Sequence, residues 1–276
     1  MGSGEAVESV TEPDPVSRLD VERWSGGDPE RLLDELADEH PVTFRYSGIP
    51  HVVMLATPRD LRELAIGFTL SEGIVGDPGE IRSVEVLERD GALEVHLAIA
   101  ARRFADLLQR RRHLSSRGGC GLCGTESLEH AIRTPQRLPV GPALSSQQIQ
   151  AALAELPRHQ PLNSRTGAVH AAAWVLPSEG LQLVMEDVGR HNALDKLIGA
   201  LVGRAERLSR GYLIMTSRAS YEIVQKAATV GISAIVSVSA PTAFAVRAAR
   251  DCGLTLIGFA RPGRHVVYAH GDRLGP

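Results

Sequence analysis

Cysteine is scarce in this sequence: Cys120, Cys123 and Cys252 are the only three in 276 residues. A small secreted scaffold stapled by disulfides needs more of them, so the chain has to be held by an apolar core, and 43% hydrophobic residues over this length supply one. Long apolar runs are missing as well. The longest stretches, such as Ile232 to Val238, fall far short of the roughly 20 residues that cross a bilayer. There is no surplus of positive charge either. Thirty Lys and Arg stand against 33 Asp and Glu, a net charge of −3, which argues against a general nucleic-acid binder or a polybasic membrane-surface protein. Any anion site must therefore be local. Met1 to Asp20 has neither a basic n-region nor an apolar h-region, so no export is expected. Few cysteines, no leader and no span together predict a cytoplasmic protein that contacts neither nucleic acid nor membrane.

Hydrophobic periodicity divides the rest. Residues 1–27 are rich in Gly, Ser, Pro and Glu, end in Ser25-Gly26-Gly27 and read as a mobile tail. Residues 28–117 read as a small α+β domain. Val42 to Tyr46 and Val52 to Leu55 form a hairpin around Ser47-Gly48, with Pro50 confining the second arm to an edge. A helix follows, with Thr57 as cap, Pro58 in its first position and Asp60 at capping-box spacing; Val84 to Leu87 and Leu93 to Leu97 make a second hairpin through Asp90-Gly91. Arg102 to Arg117, with Arg110, Arg111 and Arg112, reads as a positively charged connector into a mobile loop at residues 118–125. Beyond it, residues 126–276 alternate strands with helices: Asn192 to Val202, Tyr221 to Thr229 and Ala243 to Cys252 as helices, Tyr212 to Met215, Ala234 to Val238 and Leu254 to Phe259 as strands. That alternation predicts a three-layer α/β domain with a mostly parallel sheet.

The sharpest chemical feature is Gly118-Gly119-Cys120-Gly121-Leu122-Cys123-Gly124. Its glycines leave two thiols uncovered, and the arginines before it favour thiolate, the form that attacks sulfur. The pair can also be half of a metal site, but no second pair of ligands stands at a zinc spacing, so no metal is expected. A thioredoxin-type motif would follow a buried strand, which this one does not. Gly119, Gly121 and Gly124 fit G-x-G-x-x-G without the strand that would give it meaning.

In a parallel sheet, ligands gather at the carboxyl ends of the strands. Thr216-Ser217-Arg218-Ala219-Ser220 and Ser239-Ala240-Pro241-Thr242 are two such ends, although Ser220 and Thr242 are equally good helix caps. Glu186-Asp187-Val188-Gly189-Arg190-His191-Asn192 holds more polar groups than one cap requires, so Asp187, Arg190 and His191 are candidates to orient a ligand. His170 at a strand start can be structural or functional. Phe259-Ala260-Arg261-Pro262-Gly263-Arg264 leaves the last parallel strand with two arginines suited to phosphate or a guanine edge.

Read in order, Gly119 to Gly124, Thr166-Gly167-Ala168-Val169-His170-Ala171-Ala172, Glu186 to Lys196, Val224-Gln225-Lys226-Ala227 and Gly258 to Arg261 resemble the FdhD family of formate dehydrogenase accessory sulfurtransferases. The resemblance implies a homodimer with a cytidine-deaminase-like C-terminal half. It implies that sulfur passes from a cysteine desulfurase to the molybdenum bis-molybdopterin guanine dinucleotide cofactor of formate dehydrogenase, with guanine nucleotides such as GDP as partial mimics. It further implies that Cys120 carries the persulfide and that Phe259, Ala260, Arg261, Pro262, Gly263 and Arg264 bind the cofactor; the residues themselves add Cys123, as a relay of sulfur or as the thiol that releases it through a transient disulfide, and Ser217, Arg218, His191 and Asp187 as further candidate contacts. Pro262 and the Ser217 to Ser220 turn depart from the family's pattern. Deaminase chemistry needs H-x-E and P-C-x-x-C. Here Ala172 stands two residues after His170 and Gly119 precedes Cys120, so that activity is rejected while the fold is kept. A non-catalytic cofactor-binding chaperone and, behind it, a zinc-dependent hydrolase stand as the alternatives.

Overall fold

The computed structural model describes residues 12–89, 91–115 and 135–275; Asp90 and the Cys120–Cys123 loop lie outside the described residues. Order starts earlier than the sequence suggested. Val16–Arg23 (β1), within the expected tail, pairs with Glu30–Ala37 (β2) in an antiparallel ribbon. The ribbon shows no hydrophobic alternation because most of it is solvated, and cross-strand charges hold it instead: Arg18 lies 3.0 Å from Glu35 and Arg31 3.6 Å from Glu22. Arg165 adds a two-pronged contact to Glu35, at 2.8 and 3.0 Å. The hydrogen bonds from Arg165 and Arg18 hold the Glu35 carboxyl down at about 2.

The two expected hairpins are present as His40–Tyr46 (β3) with Ile49–Ala56 (β4), and Ile81–Arg89 (β5) with Ala92–Ile99 (β6). They join through a parallel β3–β6 pair into a sheet of order β4-β3-β6-β5, which leaves the Pro50-bearing strand on an edge. Val42, Phe44 and Tyr46 point to one side and are each fully buried under Leu61–Ser71 (α1). The start of α1 differs from expectation. Asp60 is the N-cap in left-handed backbone, φ 55°, with no side-chain cap of its own, and Glu12 accepts from the Asp60 and Leu61 N–H groups at 2.9 Å each. Thr57 is engaged elsewhere, its hydroxyl accepting from Val188 N. Where a charged connector was expected, Ala101–Ser115 is a helix (α2). Arginine is a good helix former, Leu107 is buried, and Arg103 meets Glu80 at 2.9 Å.

The second half is built on a six-stranded sheet. Its strands are His170–Leu176 (β8), Gly180–Asp187 (β9), Tyr212–Met215 (β10), Ala234–Ser237 (β11), Thr255–Arg261 (β12) and Arg264–Ala269 (β13), in the order β13-β12-β11-β10-β8-β9. Leu144–Ser145 (β7) and Leu274–Gly275 (β14) form a short separate pair. The expectation of a mostly parallel sheet needs correction: β10, β11 and β12 run parallel, while β8, β9 and β13 are antiparallel to their neighbours. The turns at Pro177–Glu179 and Pro262-Gly263 are too short for a crossover, so each can only fold the chain back as a hairpin.

Alternation along the strands feeds both faces of this sheet. Ala173, Val175, Ile214 and Val236 pack with Ile149 and Leu153 of Ser146–Glu155 (α3). Ala172, Trp174, Leu213 and Ile235 face Arg190–Gly203 (α5), Tyr221–Thr229 (α6) and Ala243–Cys252 (α7); Pro161–Thr166 (α4) lies beside β2. The two halves do not keep separate cores. One hydrophobic cluster runs from Phe44 and Leu64 through Leu197 to Leu213. At its centre α1 crosses α5 backbone to backbone: a Cβ on Gly67 would overlap the Asp195 carbonyl, and one on Gly199 would overlap the Glu63 carbonyl. Any larger residue at either position would force the helices apart.

Candidate functional site

The carboxyl ends of β10, β11 and β12 form one ledge, and backbone hydrogen bonds tie its loops together. Thr216 N donates to Ala171 O at 3.1 Å, and Ala171 N donates to the Thr216 hydroxyl at 2.8 Å. Ser237, fully buried, donates to Ser217 O at 2.6 Å and to Ser239 O at 3.1 Å. Thr242 N reaches Ala219 O at 3.0 Å, and Phe259 N reaches Ser239 O at 3.1 Å. Across the β8–β9 pair His170 lies opposite Asp187, which brings the start of α5 to the same end of the sheet. Ser217, Arg218, His170, His191 and Phe259 are therefore neighbours along a single rim although some 90 residues separate the first from the last.

Individual side chains differ in what they can offer. Arg218 is exposed, whereas Ser217 is buried and donates to Arg218 O at 3.2 Å. Phe259 is 42% exposed and sits at φ 48°, an unusual backbone state for a bulky side chain, within an irregularity of the β12–β13 register. That irregularity turns the ring outward. Ala260 is buried on the α3 side, while Arg261, Pro262, Gly263 and Arg264 are exposed. Gln150 of α3 holds this arginine turn, accepting from Gly263 N at 2.7 Å. Thr242 is an ordinary cap, accepting from Ala245 N, so that part of the rim is structural. Ser220 instead donates to Glu222, whose other contact is His191 Nε2 at 3.2 Å. Burial, reinforced by the positive charge of Arg190, lowers the basicity of both His170 and His191; Glu222 opposes the shift at His191. Both imidazoles are thus kept neutral at pH 7.

Asp187 is placed differently from its ligand-contacting expectation. It is fully buried, 2.6 Å from the equally buried Lys196, and its oxygens accept from Thr57 N, Gly189 N and Asn192 Nδ2. Lys196 also donates to Thr57 O, and Asn192 to Leu55 O. This ion pair positions the rim by pinning its loop to the end of β4; it has no free acceptor for a ligand. A second buried pair was not singled out from the sequence. Lys226 Nζ contacts Asp195 at 2.9 and 3.1 Å, Ser71 Oγ at 3.0 Å and Glu72 at 2.8 Å. Burial opposes the charge on Lys226, but Asp195 and Glu72 outweigh it and raise its basicity. The signal was available in the pattern: Asp195, Lys196 and Lys226 interrupt apolar helix faces, where an unpaired charge is excluded.

Cys252 ends α7, buried, its thiol pushed up by burial. Cys120 and Cys123 fall outside the described residues, as do the side chains of Arg110 to Arg112. The described chain has no helix long and apolar enough to cross a membrane.

Known proteins place this architecture. The chain is 49% identical over 269 residues, 98% of its length and 93% of the relative's, to the sulfur carrier protein FdhD of Cupriavidus necator. Its fold superposes with TM-score 0.73 on a crystal structure from Desulfotalea psychrophila described as a formate dehydrogenase accessory protein, covering 94% of this chain and 99% of that one at 22% identity. Residues 37–275, the span that holds the four- and six-stranded sheets and the whole rim, match the FdhD/NarQ family, and the chain belongs to that family.

Proposed function

We propose that this protein is a cytoplasmic sulfurtransferase that carries sulfur as a persulfide on Cys120 and delivers it to the molybdenum bis-molybdopterin guanine dinucleotide cofactor on its way to formate dehydrogenase. The observation that carries the reading is the rim itself, where exposed Arg218, the outward ring of Phe259 and the Arg261 to Arg264 turn stand at the ligand-binding end of a sheet. The names of its relatives, a sulfur carrier and a formate dehydrogenase accessory protein, support it. A homodimer and a cytidine-deaminase-like second half belong to the same reading.

Loading needs one thiol, and efficient release a second. Cys120 thiolate attacks the terminal sulfur of a cysteine desulfurase's persulfide; a new S–S bond forms, the donor's S–S bond breaks, and the donor thiolate leaves. Release as sulfide requires two electrons. Cys123 can provide them by attacking the Cys120 Sγ, expelling hydrosulfide and leaving a Cys120–Cys123 disulfide that an external thiol reduces. A chaperone without sulfur transfer would share the cofactor site but not this chemistry.

Two measurements bear on the reading. Metal analysis of purified protein should find no stoichiometric zinc; tight equimolar zinc that is lost in Cys120→Ser would replace the sulfur carrier with the hydrolase alternative. Calorimetry with GDP should show weakened binding in Arg261→Ala and Arg264→Ala, by about 1.5 to 3 kcal/mol for each charged hydrogen bond removed. Wild-type affinity in both variants would move the nucleotide away from this turn.

A further inference from the structure

The six-stranded sheet ends at β9, and among the described residues no strand covers that edge. The backbone groups of Leu183, Val184 and Met185 that face away from β8 find no hydrogen-bond partner there either. Leu181 to Met185 carries neither proline nor charge, two of the usual guards of an exposed edge. A cavity of about 660 Å³ lies along this stretch, within the size range of ordinary ligand sites. Ile66 of α1, Ala200 of α5 and Leu162 of α4 stand around Leu183 and Met185 in its apolar lining. Gly203 at the end of α5 lines it too, and a Cβ added there would meet nothing within 4 Å.

The charges that reach solvent around this slot are positive. Arg59, Arg62 and Arg204 line it and are exposed, and their one ion pair among the described residues is the 3.8 Å contact of Arg59 with Asp60. The acids in the lining, Asp60, Glu63 and Glu186, are half-buried, and Glu186 is spent on Leu162 N and Asn163 N at 2.9 and 2.8 Å.

We infer that the slot along β9 is a docking site for an extended acidic segment of a partner protein, which joins the sheet as a further strand. Main-chain hydrogen bonds to the free edge hold the segment, apolar side chains at alternate positions cover Leu183 and Met185, and acidic ones meet the arginines. A second copy of this chain fits the slot less well, because pairing of β9 with its own copy about a twofold axis brings the same arginines to the junction from both sides. The β9 edge is the opposite one from β13, so the inference stands apart from the nucleotide reading.

The test uses the full chain and three fluorescein-labelled octapeptides, followed by fluorescence anisotropy: alternating Glu and Val, the same sequence N-methylated at every residue, and alternating Lys and Val. The Glu-Val peptide should bind wild type, and the other two should bind at least tenfold more weakly. Arg59→Glu with Arg204→Glu, and separately Gly203→Trp to fill the slot, should each weaken the Glu-Val peptide at least tenfold while melting within a few degrees of wild type. Failure of the Glu-Val peptide to bind wild type, or equal binding of the N-methylated peptide, would overturn the inference. So would undiminished binding in both variants, which places the peptide elsewhere, or binding that occurs only as a dimer dissociates on a sizing column, which gives the edge to a second copy.

Discussion

Gly199→Ala should cost this protein a substantial share of its stability, and Gly67→Ala should do the same. Both glycines lie where α1 and α5 cross, and the atoms an added methyl would strike are backbone: at Gly199 the Glu63 carbonyl group, with its carbon at 2.7 Å and Cα at 2.9 Å, and at Gly67 the Asp195 carbonyl. A flexible side chain could swing aside, but here one helix must move. That movement would open the shared core between Leu64, Leu194 and Leu197, all fully buried, and lengthen the contacts of Asp195 with Ser71 and Lys226. Overpacking of an ordinary core costs about 1–3 kcal/mol, and a backbone clash beside a buried ion pair belongs at or above the upper end. Against a total of about 5–15 kcal/mol, the melting temperature should fall by roughly 10 °C or the variant should be recovered insoluble. Gly203→Ala, one turn on with nothing within 4 Å of its added methyl, is the control and should melt within a degree or two of wild type. Equal melting of Gly199→Ala and Gly203→Ala would show that the two halves do not pack as described.

Elements whose stability comes from local pattern were legible in the sequence. Tyr221–Thr229, Ala243–Cys252 and Tyr212–Met215 have the expected bounds because each is a short apolar period closed by polar or Gly residues. The end of β10 was legible for the same reason, and with it the positions of Ser217 and Arg218; β11 ends at Ser237 and β12 at Arg261, one residue short of and two beyond the Val238 and Phe259 expected. What depended on distant partners was not. The β1–β2 ribbon is held by cross-strand charges rather than by burial, so it carries no period. The start of α1 is capped by Glu12, 48 residues upstream of the Asp60 N–H it accepts from, which no local capping rule anticipates. Asp187 looked like a ligand because it sits in a polar run, but its partner Lys196 lies on an apolar helix and the pair is sealed by Thr57 from the other half of the chain. Strand direction was misjudged at the sheet's flanks because the alternation of strand and helix holds only between β10 and β12.

Replacing Cys120 should abolish sulfur loading, since it is the residue proposed to take the sulfur and Cys252 cannot replace it. Cys252 is buried at the end of α7, its sulfur directed to Ala249 O at 3.7 Å, and burial disfavours its thiolate. It is neither accessible nor nucleophilic, so Cys252→Ala should load as wild type. Cys123→Ala should still accept sulfur on Cys120 but turn over poorly, because the thiol proposed to expel hydrosulfide is gone. Activation of formate dehydrogenase should follow the same order, absent in Cys120→Ala, impaired in Cys123→Ala and intact in Cys252→Ala.

Intact-mass spectrometry after incubation with a cysteine desulfurase and cysteine tests the central claim most directly. The account predicts a gain of one sulfur atom in wild type, Cys123→Ala and Cys252→Ala and none in Cys120→Ala; a persulfide that survives in Cys120→Ala, or no gain in wild type, would contradict it.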